Sequence, residues 1–114
     1  MFDFQKLNVY TKAKEINRQT KHLSQNSNFD RITNDQLRRA SFSIMLNIAE
    51  GSSRFSNRDR KNFLVIARGS VFECVAIFDY LVENQEISSD VYNRFYSQFE
   101  EISKMLYALI KKLK

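Results

Sequence analysis

The sequence contains almost none of the residues that interrupt helices. It has no proline and only two glycines, Gly51 and Gly69, in 114 residues. A chain with so few turn-forming residues makes few turns, and the glycine, proline or Asn-Gly signals that bound β-strands are missing. Apolar residues make up 43% of the chain, which is too many for a disordered protein. These features predict a single all-α domain, residues 1–114, built from a few long helices.

Apolar residues at three- and four-residue steps divide the chain into four predicted helices. The first is predicted from about Gln5 to Ser24, and a cluster of polar residues follows it. Thr33 or Asn34 is the predicted N-cap of the second helix. Gly51 is expected to adopt the left-handed conformation that ends this helix.

Serine residues are predicted to begin the other two helices. Ser56 and Asp59 have the spacing of a capping box directly before an apolar run, and Ser88 or Ser89 precedes the last helix. Long helices joined by short connections favour an antiparallel, up-down-up-down four-helix bundle. The single cysteine, Cys74, lies among apolar residues and is predicted to be a buried thiol in a reducing compartment.

Basic residues are concentrated in one part of the sequence. The formal net charge is +5, and residues 31–68 hold eight basic against three acidic side chains. Residues 69–103 hold one basic against seven acidic side chains. This distribution suggests an anionic partner such as the phosphate groups of a nucleic acid. The alternative is that the basic cluster is a solvated turn between two helices. The candidate nucleic-acid-binding residues are Arg38, Arg39, Arg54, Arg58, Arg60 and Lys61.

The predicted second and third helices carry apolar residues around more of their circumference than one bundle core requires. One explanation is a densely packed core. The alternative, which we favour, is that the additional apolar face is an interface between copies of the chain. The candidate interface residues are Phe42, Met45, Leu64, Val71, Phe72 and Val75.

Polar residues on the same two helices have a structural and a catalytic interpretation. The structural one is a hydrogen-bonded network that fixes the register of the two helices. The catalytic one makes Glu50 a general acid or base, but neither a histidine nor a second carboxylate accompanies it at a suitable spacing. We therefore favour the structural interpretation. The predicted network consists of Ser43, Asn47, Glu50, Arg68, Ser70 and Glu73.

Several classes of site are not predicted. One histidine and one cysteine do not supply the soft ligands of a transition-metal site, and glycine-rich phosphate loops are missing. We predict no catalytic residue, no metal, no cofactor and no small-molecule substrate. No charged leader with an apolar run opens the chain, and no apolar run is long enough to span a membrane. We therefore expect a soluble, cytoplasmic protein without membrane contact.

The segment "SIMLNIAEGSSRFSNRDRKNFLVIARGSVFE" resembles the signature of the 23S rRNA intervening-sequence protein family. The opening "FQKLNVYTKAKEI" and the closing "EEISKMLYALIKKL" extend the resemblance over nearly the whole chain. Met45 stands where many members have a proline, and the first loop is short, which leaves the subgroup open. The matching positions are Ser43, Ile44, Asn47, Ile48, Ala49, Glu50, Gly51, Arg54, Ser56, Phe63, Leu64, Ala67, Gly69, Ser70 and Glu73.

This resemblance implies a four-helix bundle that assembles as a closed ring, typically a pentamer. Some members are encoded inside intervening sequences of large-subunit rRNA genes. A distantly similar group of retroelement accessory proteins has a basic bundle that binds nucleic acid and a reverse transcriptase. We therefore predict a non-enzymatic homo-oligomer, a pentamer by this resemblance, that binds RNA through its basic residues. The alternative is a structural or adaptor protein whose partner is another protein.

Overall fold

Four helices packed side by side make up the computed structural model, which describes residues 1–113. α1 packs against α2 and α4, and α3 packs against the same two helices, so the four helices surround one core. No strand occurs within these residues. The predicted all-α four-helix bundle is confirmed. The elements are a 3-10 helix (Asp3–Lys6), α1 (Asn8–Gln25), α2 (Arg31–Ser52), α3 (Asn57–Glu83) and α4 (Ser89–Lys112).

Side-chain hydrogen bonds show that neighbouring helices run antiparallel. Near the middle of α1 and α2, Ser41 Oγ donates to Asn17 Oδ1 at 3.0 Å. At the end of α1, Ser24 Oγ donates to Asn34 Oδ1, near the start of α2, at 2.6 Å. Since short connections join all consecutive helices, the chain runs up-down-up-down. One end of the bundle therefore holds the starts of α1 and α3 and the ends of α2 and α4.

Two helices begin at other residues than predicted. α1 begins at Asn8, later than expected, because Leu7 is extended, with φ −79° and ψ 126°. α2 begins at Arg31, earlier than expected, because Asp30 is its N-cap. Asp30 Oδ1 accepts the backbone N–H of Thr33 at 2.7 Å. This hydrogen bond stabilises the charged carboxylate and lowers the pKa of Asp30.

The predicted serine caps of α3 and α4 are confirmed. Ser56 Oγ accepts the backbone N–H of Asp59 at 3.1 Å. Ser88 Oγ accepts the backbone N–H of Val91 at 3.1 Å. Each bond satisfies one of the N–H groups that the first turn of a helix leaves without an intrahelical partner.

The prediction that Gly51 ends α2 in a left-handed conformation is wrong. α2 continues through Gly51, and no glycine within residues 1–113 has a positive φ. Gly51 instead allows α2 to approach α3 closely. A Cβ atom at Gly51 would lie 3.1 Å from Cβ of Phe63 and 3.3 Å from the carbonyl oxygen of Arg60.

The left-handed residue of the described chain is Gln85, with φ 59°, directly after α3. The N–H of Glu86 donates to the carbonyl oxygen of Leu81 at 2.9 Å, and the N–H of Gln85 donates to that of Val82 at 3.1 Å. These two bonds form a Schellman motif. The motif ends α3 and turns the chain toward α4.

Aromatic side chains fill the centre of the core. The ring of Phe78 lies 4.6 Å from that of Phe95 and 5.5 Å from that of Phe99, measured between centroids. Cys74 is buried beside them, as predicted. Burial, and then the neighbouring Glu73 carboxylate, raise the pKa of Cys74 to about 12.

No helix in residues 1–113 has the length and apolar character needed to cross a membrane.

The predicted interface is corrected at two positions. Leu64 and Val71 are only 8% and 1% exposed and belong to the core, because α3 is rotated so that these residues point inward. Met45 and Val75 are half-buried against the same core. Several apolar side chains remain exposed on α2 and α3. Ile32 is one of them and lies near the start of α2. The others, which we call the apolar face, are Phe42, Leu46, Val65, Ile66 and Phe72.

Candidate nucleic-acid interface

Four helix termini meet at one end of the bundle and gather basic residues that are far apart in the sequence. Arg60 of α3 and Lys112 of α4 line the same groove, which has a volume of about 390 Å³. Asp3 and Leu7 also line it, so the segment that precedes α1 lies at this end too. The basic residues here, which we call the basic end, are Lys6, Arg54, Arg58, Arg60, Lys61, Lys111 and Lys112.

The opposite end of the bundle is acidic. It holds the end of α1, the start of α2, the end of α3 and the start of α4, and its acidic residues outnumber the basic Lys21, Arg31 and Arg94 there. The molecule is 44 Å long. The uneven charge along the sequence therefore becomes a polarity along the bundle axis. The acidic residues near this end are Asp30, Asp35, Glu83, Glu86 and Asp90.

Arg54 is held by contacts within its own chain. Its Nη2 donates to Glu50 Oε1 at 3.0 Å, and its guanidinium lies 4.5 Å from the centroid of the Phe63 ring. The ion pair is about half exposed, so we expect it to contribute no more than about 1 kcal/mol to stability. These contacts attach the end of α2 to the start of α3.

The basic residues at the start of α3 differ in whether their side chains are already held by contacts within the chain. Arg60 Nε donates to the carbonyl oxygen of Arg54 at 2.7 Å, so this side chain fixes the loop. Arg58 and Lys61 are exposed, and neither forms an ion pair with another residue of the described chain. They are therefore the residues best placed to contact a phosphate.

Arg38 and Arg39 do not lie at the basic end. They are in the middle of α2, and a rise of 1.5 Å per residue places them about 20 Å from the end of this helix. Arg39 is exposed and Arg38 is half-buried. The prediction that they extend the same patch is therefore wrong.

Three of the predicted network residues form a hydrogen-bonded group between α2 and α3. The hydroxyl oxygens of Ser43 and Ser70 lie 2.9 Å apart. Asn47 Nδ2 donates to both the carbonyl oxygen and Oγ of Ser43 at 2.9 Å. Ser70 Oγ also donates to the carbonyl oxygen of Ile66 at 3.2 Å. This group fixes the register of the two helices.

The other three predicted network residues lie elsewhere. Glu50 pairs with Arg54, as described above. Arg68 points toward α4, where its Nε donates to the carbonyl oxygen of Ser103 at 3.3 Å and its guanidinium lies 4.9 Å from the centroid of the Phe72 ring. Glu73 is exposed. The prediction was wrong for them, because Glu50 pairs with Arg54 beyond the end of α2, Arg68 faces α4, and Glu73 lies in a groove beside Gln36, nearer the start of α2 than Ser43 and Asn47.

Phe55 is an exposed aromatic residue that was not predicted as part of the site. It lies in the loop between α2 and α3, and its side chain is 100% exposed. An apolar residue just before an N-cap usually packs against the fourth residue of the helix, which forms a hydrophobic staple. Here that fourth residue is Arg60, so no apolar partner is present. The exposure of Phe55 could therefore have been predicted from the sequence, because the residue it would pack against is an arginine.

A second groove lies between α3 and α4, with a volume of about 610 Å³. The rings of Tyr92 and Tyr96 stack there with centroids 5.7 Å apart. Burial, and then the Asp79 carboxylate, raise the pKa of Tyr92. The charged residues of the lining are mixed in sign and comprise Arg68, Lys104, Asp79 and Glu100.

Comparison with known proteins identifies the family. The chain matches the profile of the 23S rRNA-intervening sequence protein family over residues 5–108. It belongs to this family. A solved structure from Bacteroides thetaiotaomicron, a protein with unknown function from the S23 ribosomal protein family, is similar with a TM-score of 0.87. The two are 26% identical, and the similarity covers 90% of this chain and 98% of the other. No curated protein matches the chain.

The segment that resembles the signature of the 23S rRNA-intervening sequence proteins has a structural explanation. Its Ser43, Asn47 and Ser70 form the hydrogen-bonded group between α2 and α3. Its Gly51 permits the close approach to Phe63. The signature therefore describes how α2 packs against α3.

Within residues 1–113, no group of three or more histidine, cysteine, aspartate or glutamate side chains is arranged to hold a metal ion.

Proposed function

We propose that this 23S rRNA-intervening sequence protein is a non-enzymatic RNA-binding protein whose basic end contacts phosphate groups. The observation that carries the proposal is the meeting of basic residues from the helix termini at one end, opposite an acidic end. Arg58, Lys61 and Lys112 are exposed there. Phosphate contacts of this kind are independent of base sequence and depend strongly on salt.

A role without catalysis agrees with the environment of the most reactive side chains. Glu50 is engaged by Arg54 in a half-exposed ion pair. Cys74 is buried, and its raised pKa keeps the thiol protonated at neutral pH. A protonated, inaccessible thiol is a poor nucleophile.

We further propose that the protein is a homo-oligomer that buries its apolar face between subunits. Phe42 and Phe72 are 48% and 57% exposed in the single chain, which is costly for large apolar side chains in water. The family resemblance favours a pentameric ring. A ring would repeat the basic end around one rim, so several weak phosphate contacts would act together on one RNA strand.

The proposal is tested by measuring RNA affinity as a function of salt. Fluorescence anisotropy with a labelled structured RNA would compare the wild type with a triple variant carrying Arg58→Gln, Lys61→Gln and Lys112→Gln. Arg54 and Arg60 are left unchanged because they hold the loop. A control variant with Lys21→Gln, Arg31→Gln and Arg94→Gln removes the same charge at the acidic end.

We expect the triple variant to bind every RNA sequence tested more weakly than the wild type does. The slope of log K against log salt should fall by about 0.7 to 0.9 for each phosphate that the variant no longer neutralises. The control variant should retain the wild-type slope, because its substitutions lie away from the basic end. Equal and negligible binding by the wild type and both variants would refute the RNA-binding proposal.

A protein partner is the second candidate, and the groove between α3 and α4 favours it. Tyrosine, phenylalanine and arginine, which line this groove, are enriched at protein interfaces. This hypothesis predicts little RNA affinity at physiological salt. It also predicts a purified partner that binds the wild type and the triple variant equally and does not bind when Tyr96→Asp is introduced.

A further inference from the structure

Phe55 extends from the basic end without contributing to the core. Its ring is 100% exposed, although burying a phenylalanine would release about 1.5 to 3 kcal/mol. Among the residues that follow it are Arg58 and Lys61, the two exposed cations at the start of α3. A solvated aromatic ring beside exposed cations has the composition of a nucleic-acid contact.

The loop presents Phe55 from a fixed backbone. On one side, the N–H of Arg54 donates to the carbonyl oxygen of Gly51 at 3.2 Å, and the Arg54 carbonyl oxygen accepts Nε of Arg60 at 2.7 Å. On the other side, Ser56 is the N-cap of α3. Because both neighbours are held, a ligand that stacks on Phe55 does not have to order the loop first.

We infer that Phe55 is a base-stacking residue that binds unpaired nucleotides, an inference that rests on the proposed RNA-binding function. The bases in the interior of a duplex already stack on both faces, so an exposed phenylalanine ring is available only to unpaired bases in loops, bulges and single strands. A groove of about 670 Å³ next to the loop is lined by Ser52 and Ser53, and it holds the aromatic rings of Phe2, Phe4 and Phe63 as well as the acidic residues Asp3 and Glu50. The ligand class is therefore unpaired RNA, and the basic end supplies the phosphate contacts.

The first experiment compares Phe55→Ala and Phe55→Tyr with the wild type. The probes are a labelled single-stranded RNA of mixed sequence and the duplex that it forms with its complement. We expect Phe55→Ala to weaken single-strand binding about tenfold and to leave duplex binding unchanged. Phe55→Tyr should retain wild-type affinity because it keeps the ring. The thermal unfolding midpoints should be equal, since the side chain has no contacts in the fold.

The second experiment uses the lack of tryptophan in the sequence. Phe55→Trp introduces a single tryptophan at the loop, and stacking on a base quenches its fluorescence. We expect quenching by the single strand and none by the duplex. Ile32→Trp is the matched control, because Ile32 is 76% exposed but lies at the opposite end of the bundle. Its fluorescence should not change with either RNA.

The outcomes separate this inference from the proposed function. If Phe55→Ala binds the single strand as the wild type does, while the basic triple variant does not, RNA binding stands and the stacking role is wrong. If the wild type binds neither RNA, both proposals fail. If the Phe55→Trp fluorescence responds to anionic lipid vesicles and not to single-stranded RNA, the loop contacts membranes and the inference is overturned.

Discussion

At the scale of single residues, the buried thiol of Cys74 couples stability to pH. Its pKa is raised from an ordinary 9.0 to about 12, first by burial and then by the Glu73 carboxylate. Between these two values the folded protein retains a proton that the unfolded chain has released. The stabilisation is therefore complete below about pH 9 and is lost as the pH rises toward 12.

Replacing Cys74 with alanine removes this titration. Relative to Cys74→Ala, the wild type should lose up to about 1.4 kcal/mol of unfolding free energy per pH unit above pH 9. Urea unfolding of both proteins at neutral pH and at two alkaline pH values measures the difference. The variant also loses a buried sulfur, but that cost is the same at all pH values. Parallel pH dependences for the two proteins would show that the thiol is not protected in the folded state.

At the scale of the helices, the two glycines have opposite roles. Gly51 lies where α2 contacts α3, and a Cβ atom there would lie 3.1 Å from Cβ of Phe63 and 3.3 Å from the carbonyl oxygen of Arg60. Gly69 lies within α3, and a Cβ atom there would meet nothing within 4 Å. One glycine permits a contact between helices. Within the single chain, the other only weakens the helix that contains it.

Alanine substitutions at the two glycines should therefore change stability in opposite directions. Gly51→Ala should destabilise the protein by about 1 to 3 kcal/mol, because α2 and α3 must separate to admit the methyl group. Gly69→Ala should stabilise it by about 0.5 to 1 kcal/mol, since alanine loses less backbone entropy in a helix. Urea unfolding at equal protein concentration measures both changes. A stabilising Gly51→Ala would mean that the close approach of the two helices is not rigid.

The end of α3 provides a second prediction at this scale. Gln85 adopts φ 59°, a conformation that costs about 1 to 2 kcal/mol for a residue with a Cβ atom. Gln85→Gly should therefore stabilise the protein by about 1 kcal/mol in thermal or urea unfolding. The control is Asn84→Gly, one residue earlier, where φ is −84° and glycine gains nothing. Equal effects of the two substitutions would argue against a Schellman motif at this position.

The helices themselves were largely predictable because their signals are local. Apolar spacing and the caps at Ser56 and Ser88 depend only on nearby residues. The role of Gly51 was not predictable, because a glycine at the end of a helix can serve either a left-handed turn or a close contact. Only the position of Phe63 decides between them. The turn at Gln85 was missed since glutamine is seldom found in that conformation.

At the scale of the whole molecule, less of the candidate site followed from the sequence. Arg58 and Lys61 could be grouped from the sequence because they are close together in the chain. Lys6 and Lys112 were not, since only the antiparallel topology brings them to the same end. The buried positions of Leu64 and Val71 were not predicted either. When apolar residues surround a helix, its rotation depends on its neighbours and cannot be read from periodicity.

The exposed apolar face leads to the last prediction, which concerns assembly. Light scattering at micromolar concentration should give a mass several times that of the 13.5 kDa chain. Phe72→Asp should lower this mass, because Phe72 is 57% exposed on the apolar face and a carboxylate would be buried between subunits without a partner. Phe55→Asp makes the same chemical change at a side chain that is 100% exposed in the loop between α2 and α3 and is not one of the residues of the apolar face, and it should leave the mass unchanged. Circular dichroism should show equal helicity for both variants, since neither residue belongs to the core. A wild-type protein that is monomeric, or a Phe72→Asp variant with the wild-type mass, would exclude the apolar face as the subunit interface.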